Sequence, residues 1–163
     1  MAKRALTTCL WFDGQAEEAA NYYASIFEDA KIGKIGHYTE AGPGEPGSVL
    51  AVEFELNGQK FVGINGGPEF KFNEAISFQV YCKDQDEVDY YWNKFTEEGE
   101  ESVCGWLKDK YGVSWQIIPE GLIEMISDSD PEKAKRATEA MLSMKKLDIA
   151  AIERAYKGEY AAR

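Results

Sequence analysis

The stretch "DKYGVSWQIIP", residues 109–119, joins a turn sequence to a short apolar strand. The turn ends at Gly112, and the strand after it is apolar except for Ser114 and Gln116. A buried amide costs roughly a few kcal/mol unless it is hydrogen-bonded. Gln116 is therefore either anchored within the fold or directed at something other than the hydrophobic core.

The segments before this stretch predict a strand, a helix and a further strand. "AISFQVYC" (75–82) alternates as a strand does, and "SVCGWLK" (102–108) has the same character. Between them, "KDQDEVDYYWNKFTEEG" (83–99) predicts a helix that ends at Gly99. The second half of the chain therefore has the order strand, helix, strand, strand.

The first half has the same order with one more strand. Asn57 and Gly58 form the dipeptide that most strongly indicates a two-residue hairpin. The predicted elements are "TTCLWF" (7–12), a helix in "DGQAEEAANYYASIF" (13–27), "KIGKIGHY" (31–38), "SVLAVEFEL" (48–56) and "QKFVGIN" (59–65). This order is β-α-β-β-β.

The two predicted helices present matching apolar faces when they are superposed. Glu87 lies 69 positions after Glu18, and this offset aligns four pairs of apolar residues. The pairs are Ala19 with Val88, Tyr22 with Tyr91, Tyr23 with Trp92, and Ile26 with Phe95. Sequence identity at this offset is slight, so the repeat indicates a shared architecture.

Composition excludes several classes of protein. The chain has 163 residues, of which 44% are hydrophobic, enough for one ordinary domain or two small halves. Its net charge of -11 opposes binding to nucleic acid, and no segment has the length of a membrane span. Cys9, Cys82 and Cys104 lack the spacing of a zinc site or a disulfide framework. We expect a cytoplasmic protein with reduced thiols.

The chain after residue 126 predicts two short helices. Asp130 and Asp148 are the predicted N-caps, Pro131 occupies a first helical position, and Gly158 is a stop signal. We expect these helices to pack on the body of the protein or on a partner subunit. The predicted organisation is a domain at 1–126, made of modules 1–70 and 71–126, with a helical extension at 127–163.

Two tandem β-α-β-β-β modules with a D-x-x-G turn before the last strand resemble the vicinal oxygen chelate superfamily, which includes glyoxalase I, extradiol dioxygenases and bleomycin-resistance proteins. The closer resemblance is to the PhnB-like family, also labelled 3-demethylubiquinone-9 3-methyltransferase. It is carried by "LWFDGQAEEAANYY", "GGPEFKFNEAISFQVYC", "CGWLKDKYGVSWQIIP" and "KRATEAMLSMKKLDIAAIERA". The resemblance implies the α+β class, with tandem modules that form a glyoxalase-like open barrel and two short C-terminal helices.

The resemblance also implies four positions at which the superfamily's metal enzymes carry His, Glu or Gln ligands. Matching the strand and helix pattern places these positions at Thr8, Ser77 and Gln116, with Val62 as the partner of Gln116. Gly63 or Phe61 are alternatives to Val62, because hairpin lengths vary. Thr, Val, Ser and Gln lack the imidazole, carboxylate and thiolate donors of a transition-metal site, so we expect no metal and no cofactor.

The side chains that share a face with these positions are the remaining candidates. Alternation along the strands places Leu10 and Phe12 beside Thr8, and Gln79 and Tyr81 beside Ser77. Trp106 is a further candidate for contact with a ligand. His37 is either a general base or an ordinary exposed histidine, and Cys104 is either a cavity thiol or a buried strand cysteine.

The resemblance implies a protein of the glyoxalase/bleomycin-resistance superfamily, and the residues at these positions predict that it binds a small molecule of unknown identity without a metal. The alternatives are a lyase, isomerase or oxygenase acting in the same cavity, the methyltransferase of the family label, and an assembly role for the C-terminal helices. No catalytic residue is assigned. We expect a homodimer, since two such sheets otherwise leave open edges, and no nucleic acid or membrane partner.

Overall fold

The computed structural model describes residues 6–159 and consists of two compact units that divide between Lys71 and Phe72. Each unit contains one four-stranded sheet. Residues 1–5 and 160–163, the outer ends of the predicted segments 1–126 and 127–163, lie outside the described residues. None of the helices between residues 6 and 159 has the length and apolarity that a membrane span requires.

The first unit has the predicted order β-α-β-β-β. Its elements are β1 (Thr8–Phe12), α1 (Ala16–Ile26), β2 (Ala30–His37), β3 (Val49–Leu56) and β4 (Gln59–Asn65). The strand order in the sheet is β1-β4-β3-β2, with β1 parallel to β4 and the other pairs antiparallel. Asn57 and Gly58 both have positive φ, as a type I′ hairpin turn requires.

The core of the first unit lies between α1 and its sheet. Tyr23 of α1 is fully buried and stacks on Phe54 of β3, which in turn stacks on Phe61 of β4. Asn65, at the end of β4, links three segments of this unit. Its side-chain oxygen accepts from the backbone N–H of Ala16, and its side-chain nitrogen donates to the carbonyl of Val49. Asn65 thus satisfies a donor at the start of α1 that Gln15 leaves free.

The second unit repeats the first and then adds helices. Its elements are β5 (Ser77–Cys82), α2 (Gln85–Thr96), β6 (Glu100–Glu101), β7 (Trp106–Lys108), β8 (Ser114–Pro119), α3 (Leu122–Ile126), α4 (Pro131–Leu142) and α5 (Ile149–Lys157). The strand order is β5-β8-β7-β6, with β5 parallel to β8. The predicted α+β class with two β-α-β-β-β modules is confirmed, and neither sheet closes into a barrel within residues 6–159.

The α2 helix packs on its sheet through the face that the repeat predicts. Val88, Trp92 and Phe95 are buried, and the ring of Phe95 stacks on Trp115 of β8 with 4.6 Å between centroids. A Cβ atom at Gly99 would lie 2.2 Å from the carbonyl oxygen of Lys108. Glycine at this position therefore lets the chain leave α2 in close contact with β7.

Three local features differ from the sequence prediction. The segment 102–108 is not one strand, because Cys104 and Gly105 both have positive φ and form a turn between β6 and β7. The two-residue strand β6 and the helix α3 are not predicted, since both are too short to show a periodic pattern. The predicted N-caps Asp130 and Asp148 are confirmed by their hydrogen bonds to backbone N–H groups.

The turn that begins the last strand is organised by a buried carboxylate. Asp109 is 3% exposed, and its Oδ1 atom accepts from the backbone N–H groups of Tyr111 and Val113 at 2.9 and 3.0 Å. Its Oδ2 atom accepts from the indole N–H of Trp115 at 2.9 Å. Three donors thus converge on one carboxylate, and together they fix where β8 starts.

The helices after residue 126 pack within the second unit. Ile118 of β8 joins Leu122, Ala137, Leu147 and Ile152 in a buried apolar cluster. The side chain of Gln85 at the start of α2 donates to the carbonyl of Leu147 and accepts from the backbone N–H of Ile149. One amide therefore bridges α2 and the start of α5.

Replacing Asp109 with alanine leaves two backbone N–H groups and one indole N–H without their partner. We expect the free energy of unfolding to fall by about 3 kcal/mol, because each buried donor left unpaired costs about 1 kcal/mol or more. Urea denaturation followed by tryptophan fluorescence measures this change. The control is Asp86→Ala, an exposed carboxylate in the first turn of α2, which we expect to cost about 0.5 kcal/mol. Equal losses for the two variants would contradict the role of Asp109.

Replacing Gln85 with alanine removes the amide bridge to α5. We expect backbone N–H groups of residues 147–152 to exchange roughly thirtyfold faster with solvent, since two hydrogen bonds worth about 1 kcal/mol each are lost. Hydrogen exchange followed by mass spectrometry measures this rate. The matched control is Asn93→Ala on the exposed surface of α2, which we expect to leave the exchange rate unchanged. Equal exchange rates in the two variants would contradict the role of the Gln85 bridge.

Candidate functional site

The face of the second sheet opposite α2 carries most of the candidate residues. We call it the ladder face. It contains Ser77, Gln79 and Tyr81 of β5, Trp106 and Lys108 of β7, and Ser114, Gln116 and Ile118 of β8. The register sets Gln79 beside Gln116, and Gln116 beside Trp106. Five of the candidates predicted from sequence, Ser77, Gln79, Tyr81, Trp106 and Gln116, therefore lie on one surface.

Hydrogen bonds join four of these side chains into a continuous row, which we call the polar ladder. The Tyr81 hydroxyl donates to the side-chain oxygen of Gln79 at 2.9 Å, and the Gln79 amide donates to the side-chain oxygen of Gln116 at 3.4 Å. The Gln116 amide donates to the Ser77 hydroxyl at 2.8 Å. All three bonds run in the same direction along the sheet, from Tyr81 to Ser77.

The row of residues next to the ladder contains a hydroxyl without a partner and an ion pair. Ser114 lies between Ser77 and Lys108 in the register of the sheet. It is 1% exposed, and its hydroxyl has no hydrogen-bond partner among the described residues. The Lys108 ammonium forms an ion pair with Glu74, which lies in the loop before β5. Their hydrogen bond lowers the pKa of Glu74 and raises the pKa of Lys108.

Thr8 and Leu10 lie on the face of the first sheet that packs against α1, whereas the sequence predicts that they line a cavity. Leu10 and Phe12 are 6% and 3% exposed, and Leu10 pairs with Gly63, where an added Cβ would meet Ala16 of α1 at 3.3 Å. The alternation of β1 therefore directs Thr8, Leu10 and Phe12 toward the helix. The assignment of Thr8 and Leu10 to a cavity face is wrong.

A difference in loop length explains this error. Three residues separate β1 from α1, whereas two separate β5 from α2. The offset of 69 is correct for the helices, but the strands are related by 70. A shift of one residue exchanges the two faces of a strand. The counterparts of Ser77, Gln79 and Tyr81 are therefore Thr7, Cys9 and Trp11.

Val62 and Cys9 occupy in the first sheet the positions that Gln116 and Gln79 occupy in the second. Val62 pairs with Cys9 in the parallel register, as Gln116 pairs with Gln79. Val62 is half-buried and Cys9 is exposed, and partial desolvation raises the pKa of the Cys9 thiol. The counterpart of the polar ladder in the first unit is thus an apolar side chain beside a protonated thiol.

The divalent metal that the superfamily resemblance implies does not fit these residues. The ladder face offers amide and hydroxyl groups and the Lys108 ammonium, whereas transition metals require imidazole, carboxylate or thiolate donors. Within residues 6–159, no group of three or more His, Cys, Asp or Glu side chains is arranged to hold a metal ion. The chemistry of the donor set therefore favours ligand binding through hydrogen bonds.

The remaining two candidates are not members of the polar ladder. His37 is exposed at the end of β2 in the first unit, and it belongs to a different sheet from Gln116. Cys104 is in the turn before β7 instead of on a strand, and its backbone N–H donates to the carbonyl of Met144. The Cys104 backbone thus connects the sheet to the segment between α4 and α5.

The segment "NGGPEF" (65–70) carries two consecutive glycines after a strand, and in the structure this segment packs against a tryptophan. An added Cβ at Gly66 would lie 2.2 Å from the ring of Trp11, and the Trp11 indole donates to the carbonyl of Gly67 at 2.8 Å. Trp11 also contacts Phe70 edge to face. The segment leads from β4 to β5 without a helix, so it lacks the helix N-terminus that receives a nucleotide phosphate.

Sequence reasoning did not select three residues that the structure brings to this site. In the sequence Ser114 is only a polar residue two positions before Gln116, and its missing hydrogen-bond partner becomes visible only in three dimensions. Lys108 and Glu74 are 34 positions apart, and no local pattern relates them. Their pairing depends on the register of β7 and on the path of the loop before β5.

Sequence comparison assigns most of the chain to a known family. The family described as 3-demethylubiquinone-9 3-methyltransferase matches residues 4–118. A solved structure described as a putative 3-demethylubiquinone-9 3-methyltransferase, PhnB protein, from Bacillus cereus is 39% identical, with a TM-score of 0.65. The match covers 71% of this chain and 99% of that one. No curated protein matches the chain.

Two more distant structures share the fold alone. Protein PA1353 from Pseudomonas aeruginosa is 14% identical, with a TM-score of 0.61, and the match covers 72% of this chain and 98% of that one. The fosfomycin resistance protein FosX from Listeria monocytogenes is 13% identical, with a TM-score of 0.52 and coverage of 76% and 98%. The family model and the 39% identical structure together show that the chain belongs to the PhnB-like family, described as 3-demethylubiquinone-9 3-methyltransferase.

Proposed function

We propose that this protein binds a small organic molecule on the ladder face without the help of a metal ion, and that it acts by sequestration or as a sensor. The polar ladder is the observation that carries the proposal. Its side chains are held in one hydrogen-bonded row, so their remaining donors and acceptors are oriented before a ligand arrives.

The polar ladder keeps hydrogen-bonding capacity for a ligand. Each glutamine amide carries two N–H donors, and the ladder uses one from Gln79 and one from Gln116. The Ser77 hydroxyl accepts from Gln116, which leaves its own proton to donate. A ligand placed over the row thus meets several neutral donors at fixed spacing, a pattern that favours a polar organic molecule over a metal.

Aromatic side chains adjoin the polar ladder. Tyr81 is 54% exposed at one end of the row, and Trp106 lies beside Gln116 on the neighbouring strand. Aromatic side chains supply large apolar contact areas with little conformational entropy to lose. The combination of a planar apolar surface with a few placed polar groups is typical of small-molecule sites.

The same groups give weaker support to catalysis. General acids and bases are usually His, Asp, Glu or Lys with a tuned pKa. The row itself consists of amides and hydroxyls, and His37 and Cys104 lie outside it. Within the ladder, the lyase, isomerase and oxygenase alternatives therefore have only the Tyr81 hydroxyl for proton transfer. The methyltransferase alternative rests on the family description alone.

Three expectations stay predictions. These are the homodimer, the cytoplasmic location and the absence of nucleic-acid and membrane partners. Bleomycin resistance is a property implied by the superfamily resemblance, and the ladder face supplies no feature that selects bleomycin. The assembly role of the C-terminal helices is weakened, since these helices bury their apolar cluster against β8 of the same chain.

Gln116→Leu is expected to weaken binding of an aromatic amide about tenfold, because it removes the central donor and acceptor of the ladder, worth roughly 1.4 kcal/mol. The probe is 2-naphthamide, and saturation-transfer NMR titration measures its dissociation constant. The matched control is Gln59→Leu on β4, which is exposed and lies outside the second sheet.

Addition of EDTA or of Mn²⁺ or Zn²⁺ leaves the dissociation constant unchanged if binding is metal-independent. An affinity that rises with metal would contradict that part of the proposal. Absence of binding by 2-naphthamide and by its acid, 2-naphthoate, would contradict the proposed site on the ladder face.

A further inference from the structure

The row Ser77, Ser114 and Lys108 has a chemistry different from that of the ladder beside it. These residues are neighbours across β5, β8 and β7 in the register of the sheet. They present two hydroxyl groups and one ammonium group. Hydroxyl and ammonium donors together are a usual combination for a carboxylate or another oxyanion.

The Ser114 hydroxyl is the strongest evidence in this row that a ligand binds here. It is buried at 1% exposure and has no partner among the described residues. A buried polar group without a partner destabilises a fold and calls for an explanation. Ser77, its neighbour in the register, is not its partner, and the Ser77 hydroxyl accepts from Gln116 while its own proton remains to be donated. Two hydroxyl groups with protons to donate therefore lie in adjacent register positions.

The Lys108 ammonium already binds a carboxylate in this structure. Its partner Glu74 comes from the loop before β5, and the Glu74 side chain is 62% exposed. An exposed ion pair of this kind contributes little to stability, typically under about 1 kcal/mol. The Glu74 carboxylate therefore binds Lys108 weakly. It occupies a position that the carboxylate of a ligand can take in its place.

The ladder face carries hydroxyl and ammonium groups at the start of β5 and an aromatic side chain near its end. Ser77 and Ser114 lie at the start of β5 and β8, with Lys108 beside them at the end of β7. Tyr81 lies near the other end of β5, beside Ile118, which the helices after residue 126 bury. Trp106 lies between them, beside Gln116. A ligand with an acidic group at one end and an apolar or aromatic body at the other matches this order.

We infer that the ligand is an aromatic carboxylic acid, whose carboxylate displaces Glu74 from Lys108 and accepts hydrogen bonds from Ser77 and Ser114. This inference rests on the proposed function, because it assigns the ligand class of the same face. The ring of the ligand lies along Gln79 and Gln116 toward Tyr81 and Trp106. When Glu74 is displaced, Lys108 turns toward the ligand and the Ser114 hydroxyl gains the partner it lacks.

The test compares 2-naphthoate with its neutral counterpart 2-naphthamide by isothermal titration calorimetry at 0.15 M salt, which screens the net charge of the chain. We expect the acid to bind about tenfold more tightly than the amide, the effect of one added charge-assisted contact. Lys108→Met removes this preference, and Glu74→Gln strengthens binding of the acid several-fold. The matched controls are Lys83→Met and Glu87→Gln, an ion pair at the start of α2, which leave both affinities unchanged.

Ser114→Ala separates a ligand-binding serine from a structural one. We expect the variant to keep or raise the melting temperature of the free protein, since it removes an unpaired buried hydroxyl. It also weakens binding of 2-naphthoate about fivefold. A lower melting temperature with unchanged affinity would overturn the role of Ser114.

The outcomes distinguish the inference from the proposed function. If the two probes bind with equal affinity and Gln116→Leu weakens both, the ladder binds ligands but the carboxylate assignment is wrong. If neither probe binds, the proposed function fails as well. A preference for the acid that survives Lys108→Met would place the carboxylate elsewhere and overturn the inference.

Discussion

The carboxylate of Asp109 fixes the start of the last strand, and the geometry of the ladder face follows from it. Two backbone N–H groups and the Trp115 indole converge on this buried side chain. Trp115 in turn stacks on Phe95 of α2, so the same contact ties the turn to the core. With β8 fixed in this way, Gln116 lies opposite Gln79, and Trp115 lies on the other side of the sheet.

Alternation along the strands then divides the second unit into two chemical surfaces. Val80, Cys82, Leu107 and Ile117 are buried toward α2, and burial raises the pKa of the Cys82 thiol to about 12. This cysteine is therefore protonated and unreactive near neutral pH. The opposite surface carries amides, hydroxyls and an ion pair. Along each strand, alternate residues therefore belong to the core and to the candidate ligand-binding surface.

The C-terminal helices are connected to this surface through the backbone of one turn. The N–H groups of Cys104 and Gly105 donate to the carbonyls of Met144 and Lys145, and Gly105 accepts from Ile117 of β8. An added Cβ at Gly105 would lie 2.8 Å from the carbonyl oxygen of Ile117, so only glycine fits. Trp106 follows directly, and its position beside Gln116 depends on this turn.

Local sequence was enough to predict the order of elements in the first unit, the buried faces of α1 and α2, the hairpin at Asn57 and Gly58, and the N-caps of α4 and α5. Each of these depends on neighbours within a few positions, where periodicity and local hydrogen bonding decide the conformation. The sequence also identified Gln116 as an amide out of place in an apolar strand, and Gln79 and Tyr81 as residues that share its surroundings.

Only the tertiary structure decided which face of β1 is buried, because one additional residue between β1 and α1 exchanges the two faces. It alone revealed the partner of Lys108 and the missing partner of Ser114, since both depend on strand register and on burial. Pairing across strands joins residues that are distant in sequence, and no local pattern encodes the distance between their side chains. Gln116 was visible in the sequence, whereas the row of hydrogen bonds that gives it a role exists only in the folded sheet.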